Sequence, residues 1–241
     1  MTIAQPLPPE VVSARDGLLA FSEQEIKARH RQHEELLDDP RRRYQADGSL
    51  SPDVRELIRQ VRSSSADAGF YQMCVPEELG GGGLGHLAYY VAWEALFHDC
   101  GPQNWLMLYA LAHWAFGPSR LLEQMTATAR DKYLAGLMDG SASMCFALSE
   151  PNAGSDASMI STRAQKDGDG WRINGRKIWT SNAPIADYCI LFAVTDAAAA
   201  AAKKGGISAF MVPTDTAGFT MERVIKLFGH IGGDEAELSF E

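Results

Sequence analysis

Tyr133-Leu134-Ala135-Gly136-Leu137-Met138-Asp139-Gly140-Ser141-Ala142-Ser143-Met144-Cys145-Phe146-Ala147-Leu148 contains a change of period. Up to Asp139 the apolar side chains stack one turn apart, Tyr133 over Leu137 and Leu134 over Met138, and Gly140 is placed to end the helix. From Met144 the texture is that of a strand. Before this point the spacing is helical. Val54, Leu57, Ile58 and Val61 follow the i, i+3, i+4, i+7 rule behind Ser51 as N-cap and Pro52 at the first helical position, with Gly69 as the stop. Val11 to Leu37 reads as one or two helices, and Arg41 to Arg43 as a basic loop. His86 to His98 and Asn104 to Phe116 read as helices with so little polar face that they should be buried on most sides. After Ser141, short runs alternate with Gly, Asp, Asn and Pro clusters: Met144 to Leu148, Thr162 to Gln165, Trp171 to Trp179, Tyr188 to Val194, Ile207 to Val212 and Glu237 to Phe240. The expectation is an α+β protein. An all-helical bundle over 1–140 precedes a β-barrel-like domain over 141–241 whose sheet is truncated at its C-terminal end.

Composition narrows the function classes. The 241 residues carry Lys+Arg 22 against Asp+Glu 31, a formal net charge of −9. That sign disfavours nucleic acid and anionic membrane surfaces as partners. The hydrophobic fraction of 46% and charged fraction of 22% are those of an ordinary globular chain. Cys74, Cys100, Cys145 and Cys189 lie tens of residues apart, without a CxxC pair, and read as reduced core thiols and not metal ligands. Met1 to Glu10 has neither a basic start nor an apolar core, so no signal peptide is expected. Trp105 to Phe116, the longest nearly apolar stretch, would span only about 18 Å as a helix, too short for a bilayer. A cytoplasmic protein without a membrane span is the expectation. His30 and His33 read as a solvated helical face, and His86, His98 and His113 as hydrogen-bonded core residues.

Two segments have the residue types for chemistry. In Ser149-Glu150-Pro151-Asn152-Ala153-Gly154-Ser155-Asp156 the small residues let a ligand approach the backbone closely, and the N–H groups with the Ser155 hydroxyl could hold a pyrophosphate. The commoner meaning of such a run is a turn. The second segment is Trp171 to Asn182. Asn174-Gly175 reads as a two-residue hairpin turn, which sets Ile173 opposite Arg176 and puts Arg172, Lys177 and Trp179 on one cationic face. Trp179 then either packs under a neighbouring domain or forms a platform for a flat ligand, with Thr180, Ser181 and Asn182 supplying hydrogen-bonding groups beside it.

In order and spacing these segments resemble the acyl-CoA dehydrogenase family. Cys145 to Asp156 is similar to that family's first signature, and Trp171 to Asn182 to its G-x-K-x-W-I-[ST]-N strand. Val75-Pro76-Glu77-Glu78-Leu79-Gly80-Gly81 resembles its helix-connecting loop, and Leu227-Phe228-Gly229-His230-Ile231-Gly232 its later strand connection. The resemblance implies an FAD-dependent α,β-desaturation of an acyl-CoA thioester. It further implies a homodimer or homotetramer holding FAD at the subunit interface, and an electron-transfer acceptor protein as partner. It places Phe146, Leu148 and Ser149 beside the flavin ring, and Gly154 and Ser155 at the pyrophosphate, with Ser155 also near the acyl-CoA. Trp179 falls against the isoalloxazine, with Thr180 and Ser181 at its O4 and N5 edge. Phe146 stands where many members have Tyr, and Thr180 where many have Ile.

The family's catalytic base lies in a C-terminal helical domain, and no residue here occupies that position. No catalytic residue is therefore assigned, Glu150 belonging to the cofactor loop, and the chain is expected to be a fragment that is inactive alone. A non-catalytic FAD- and CoA-binding subunit of a split dehydrogenase, or a flavin monooxygenase of the same fold, are the alternatives.

Overall fold

The computed structural model describes residues 6–227 and 234–241. Most of the later strand-connecting motif, 228–232, lies outside the described residues. The chain forms two compact units. One runs through Asp39 and from Asp53 to Ser141, and the other comprises Pro40–Pro52 with Ala142–Glu241.

The longer helices of the first unit are α1 (Pro9–Phe21), α2 (Pro52–Asp67), α3 (Gly85–Cys100) and α4 (Ala127–Met138). Proline opens α1 and α2, where its missing N–H costs nothing. Val54, Leu57, Ile58 and Val61 of α2 are buried, as their spacing requires. α1 continues through a π-helical segment, Ser22–Lys27, into the short helices Ala28–Gln32 and Glu34–Leu37.

Several sequence expectations fail here. Asn104 to Phe116 is not a helix: a 3-10 segment, Trp105–Tyr109, gives way to turns. The backbone groups that would continue it are taken by other elements. The Ala112 N–H donates to the Tyr71 carbonyl at 2.9 Å, and the Ala110 carbonyl accepts from the Ser65 hydroxyl. α3 is not enclosed either; it buries one stripe, Ala88, Ala92, Leu96 and Cys100, and exposes Leu87, Tyr90 and Phe97. His86 and His98 are exposed, not in the core. His30 is buried, not solvated, with its Nε2 2.9 Å from Asp38. His113, by contrast, is half-buried and hydrogen-bonded as expected, its Nδ1 accepting from the Ala115 N–H at 3.3 Å, and it stacks on Phe116. Arg41 to Arg43 sit in a short helix, Pro40–Arg43, in place of a loop.

Among the described residues the second unit is a seven-stranded sheet: β1 (Met144–Ala147), β2 (Arg163–Asp167), β3 (Gly170–Ser181), β4 (Tyr188–Val194), β5 (Ile207–Pro213), β6 (Phe219–Val224) and β7 (Glu235–Phe240). The order is β1-β4-β2-β3-β7-β6, with β5 on β4. β6 is a strand the sequence pattern did not mark. Cys145, Ala147, Cys189, Leu191, Ala236, Leu238 and Phe240 form the core of this curled sheet. The cysteines of the chain are free thiols.

The hairpin does not turn at Asn174-Gly175. Asp167 pairs with Gly170, so the two-residue turn is Gly168-Asp169, and β3 runs on through 174–175 while its partner changes from β2 to β7. Gly175 has φ +155°, and a Cβ there would lie 2.7 Å from the Thr162 Cα. The glycine thus serves a close crossing of two backbones. Gly175→Ala is expected to destabilise the fold by about 1–3 kcal/mol, measured as a lowered urea midpoint; an unchanged midpoint would contradict the crossing.

Candidate functional site

The loop after β1 and the second half of β3 are bound to each other at consecutive residues. The Lys177 ammonium, fully buried, lies 2.8 Å from the Glu150 carboxylate and donates to the Leu148 carbonyl at 3.0 Å. The next residue, Ile178, donates its N–H to the Ser149 carbonyl at 3.0 Å. Glu150 also accepts from the Ser161 N–H at 2.6 Å, the Ser161 hydroxyl at 2.7 Å and the Thr162 N–H at 2.9 Å. Further along, the Asn182 amide donates to the Met144 carbonyl at 2.8 Å. β1 and its loop are therefore held on both sides of Trp179.

This corrects the face assignment made from the hairpin. Lys177 pairs with Leu238 and Thr180 with Ala236, so two residues of β3 stand against one of β7 in a bulge. The extra residue breaks the alternation. Lys177 points inward and Trp179, two residues on, points out: Trp179 is 54% exposed. Trp179 has φ +60° and Asn182 φ +66°. Left-handed backbone at a bulky residue costs on the order of 1–3 kcal/mol and persists where neighbouring contacts over-determine it. The bonds from Lys177, Ile178 and Asn182 supply that constraint.

The other predicted site residues fall as follows. Phe146 is half-buried, its ring 4.9 Å from that of Phe192. Leu148 packs on Ala153, Ile160 and Val194. Ser149 is half-buried, its carbonyl occupied by Ile178. Glu150 and Ala153 exchange backbone hydrogen bonds of 2.8 and 3.1 Å and close the loop. This leaves Gly154 and Ser155 exposed, with nothing within 4 Å of where a Gly154 Cβ would be. Asp156 caps the following turn through the Ser158 N–H at 3.1 Å and pairs with Lys203. Thr180 is buried, and its hydroxyl has no partner among the described residues. The Ser181 hydroxyl donates to the Glu235 carboxylate. The structure therefore brings Leu148, Ser149 and Trp179 together, turns Thr180 inward, and adds Lys177, Glu150 and Glu235. Lys177 and Glu150 fall inside the quoted motifs, but their buried pairing is not written there, and no pattern marks Glu235; each takes its role from a partner distant in sequence. Among the described residues no cluster could hold a metal ion, and no helix is long and apolar enough to cross a membrane.

Burial pushes the Glu150 carboxyl up, but hydrogen bonds from Lys177, Thr162 and Ser161 outweigh it and hold the group at about 2. The unfolded carboxyl titrates at about 4.3. The stabilisation is therefore fully present above that value and is lost as pH falls toward the folded one. Urea midpoints between pH 5 and pH 2 should fall more steeply for the wild type than for Glu150→Gln. Lys177→Met leaves a buried charge unpaired and is expected to cost about 3–5 kcal/mol in urea unfolding.

Comparison with known proteins places this architecture. Residues 9–141 match the family model of the acyl-CoA dehydrogenase N-terminal domain, and residues 145–241 that of the acyl-CoA dehydrogenase middle domain. The human mitochondrial short-chain specific acyl-CoA dehydrogenase is 39% identical over 173 residues, 72% of this chain and 40% of that protein. A solved chain of the electron transferring flavoprotein work on Acidaminococcus fermentans superposes with a TM-score of 0.72 at 28% identity, covering 99% of this chain and 57% of that one. An acyl-CoA dehydrogenase from Geobacillus kaustophilus gives 0.68 at 25%, with 99% and 57% covered. The chain spans about half the length of the curated relatives it matches. With both family models matched across nearly all of its length, the chain belongs to the acyl-CoA dehydrogenase family.

Proposed function

We propose that the chain forms the flavin-side wall of an acyl-CoA dehydrogenase, which desaturates an acyl-CoA thioester between Cα and Cβ. FAD, when bound, would accept the hydride leaving Cβ. The residues present fit such a group: an exposed indole fixed by its backbone, next to a loop whose Gly154 and Ser155 leave the main chain open. In this reading Trp179 lies against the flat ring and Phe146, Leu148 and Ser149 line its border. Gly154 and Ser155 meet the pyrophosphate, with Ser155 also facing the CoA end of the substrate. Ser181 bonds the ring's polar edge. Thr180, sealed inward here, reaches that edge only through its backbone.

The observation that carries the reading is the exposed, left-handed Trp179, next in the chain to the Ile178 N–H that holds the Ser149 carbonyl. A flat aromatic surface is otherwise best buried, and holding one outward in a costly backbone conformation is the signature of a binding surface. Glu150 is not the base that takes the Cα proton, because its oxygens are committed to Lys177, Ser161 and Thr162. No residue of this chain is assigned that role. An electron-transfer acceptor protein and a second copy of the chain complete the reading.

Titrating FAD into the chain should quench flavin fluorescence, and Trp179→Ala should weaken binding about tenfold or more, the worth of one aromatic stack. Wild-type chain that leaves FAD fluorescence unchanged, or a Trp179→Ala variant that binds as tightly, overturns the reading.

A further inference from the structure

We propose that Glu235 is a positioning residue of this site: it accepts the hydrogen bond of the Ser181 hydroxyl, so that Ser181 meets the ring as a hydrogen-bond acceptor. The inference rests on the flavin reading above. Strands β3 and β7 set Ser181 directly opposite Glu235, and the Ser181 Oγ lies 2.7 and 2.8 Å from the two carboxylate oxygens. A hydroxyl has one proton and two lone pairs, while an ionised carboxylate has only acceptors. The proton must therefore point to Glu235. A charge-assisted bond of this kind is about twice as strong as a neutral one, so a carbonyl or an unprotonated ring nitrogen on the ligand does not draw the proton away. Ser181 is left with a lone pair to offer, and it favours an N–H on the ring edge over an acceptor there. The adjacent Thr180 hydroxyl does not make up the missing donor, because it is buried.

The test is a double-mutant cycle on the affinity of the chain for oxidised FAD, followed by fluorescence quenching. Glu235→Ala frees the Ser181 proton for an acceptor on the ring and should tighten binding about fivefold, the value of one net hydrogen bond. The gain should vanish when Ser181→Ala is added, the double variant binding no better than Ser181→Ala alone. A gain that survives Ser181→Ala would mean that Glu235 acts only by repelling an anionic ligand, and would overturn the proposal. So would unchanged or weaker binding by Glu235→Ala. Should Glu235→Ala fail to unfold cooperatively, Glu235→Gln, which keeps the shape and removes the charge, should show the same direction and the same dependence on Ser181. Absence of quenching by the wild type overturns the flavin reading, and this inference with it, whereas quenching by the wild type with additive substitutions overturns the inference alone.

Discussion

Lys177 carries a positive charge into the interior of the β unit, and the loop after β1 is shaped to receive it. An ammonium without water is tolerable only when paired and hydrogen-bonded, and here Glu150 and the Leu148 carbonyl meet it. Glu150 in turn gathers the Ser161 and Thr162 donors. One buried pair thus joins the β1 loop, the approach to β2 and the middle of β3. Replacing it with apolar side chains would leave the Ser161 and Thr162 donors without their acceptor, so the pair cannot be reduced to its own Coulomb energy.

The consequence for the candidate site is geometric. The bulge that lets Lys177 turn inward is the same irregularity that turns the Trp179 indole outward. A regular strand would have put the two side chains on one face. Burying the lysine and presenting the tryptophan are therefore one structural event, and the left-handed conformation of Trp179 is held in place by the bonds on either side of it. The loop opposite remains open at Gly154 and Ser155 because its closure is made upstream, between Glu150 and Ala153.

The helical unit shows the converse relation between pattern and structure. α2, whose apolar spacing is strict and whose ends are marked by proline and glycine, lies where its spacing places it. The stretch 104–116 is as apolar and is likewise flanked by Pro102 and by Gly117-Pro118, yet hydrogen bonds to Tyr71 and Ser65 outcompete a regular helix. An apolar run by itself says only that a segment is partly buried. Leu87, Tyr90 and Phe97 on α3 show that even this can fail for one face of a helix.

From the residues alone followed the α+β class, the change from helical to strand texture near 140, the free thiols, the family resemblance, and the two segments that the structure joins at Ser149 and Ile178. Those are properties of local period, punctuation and ordered motif, which a linear string carries in full. The position of the hairpin turn, the burial of Lys177, strand β6 and the partnership of Ser181 with Glu235 were decided only by tertiary structure. Asn-Gly permits a positive φ without saying whether the chain turns back or merely passes close to Thr162. A lysine's burial depends on a carboxylate 27 residues away in sequence, and the proton of a serine on a glutamate 54 residues away. Such distances close only when strands pair, and no local spacing encodes them.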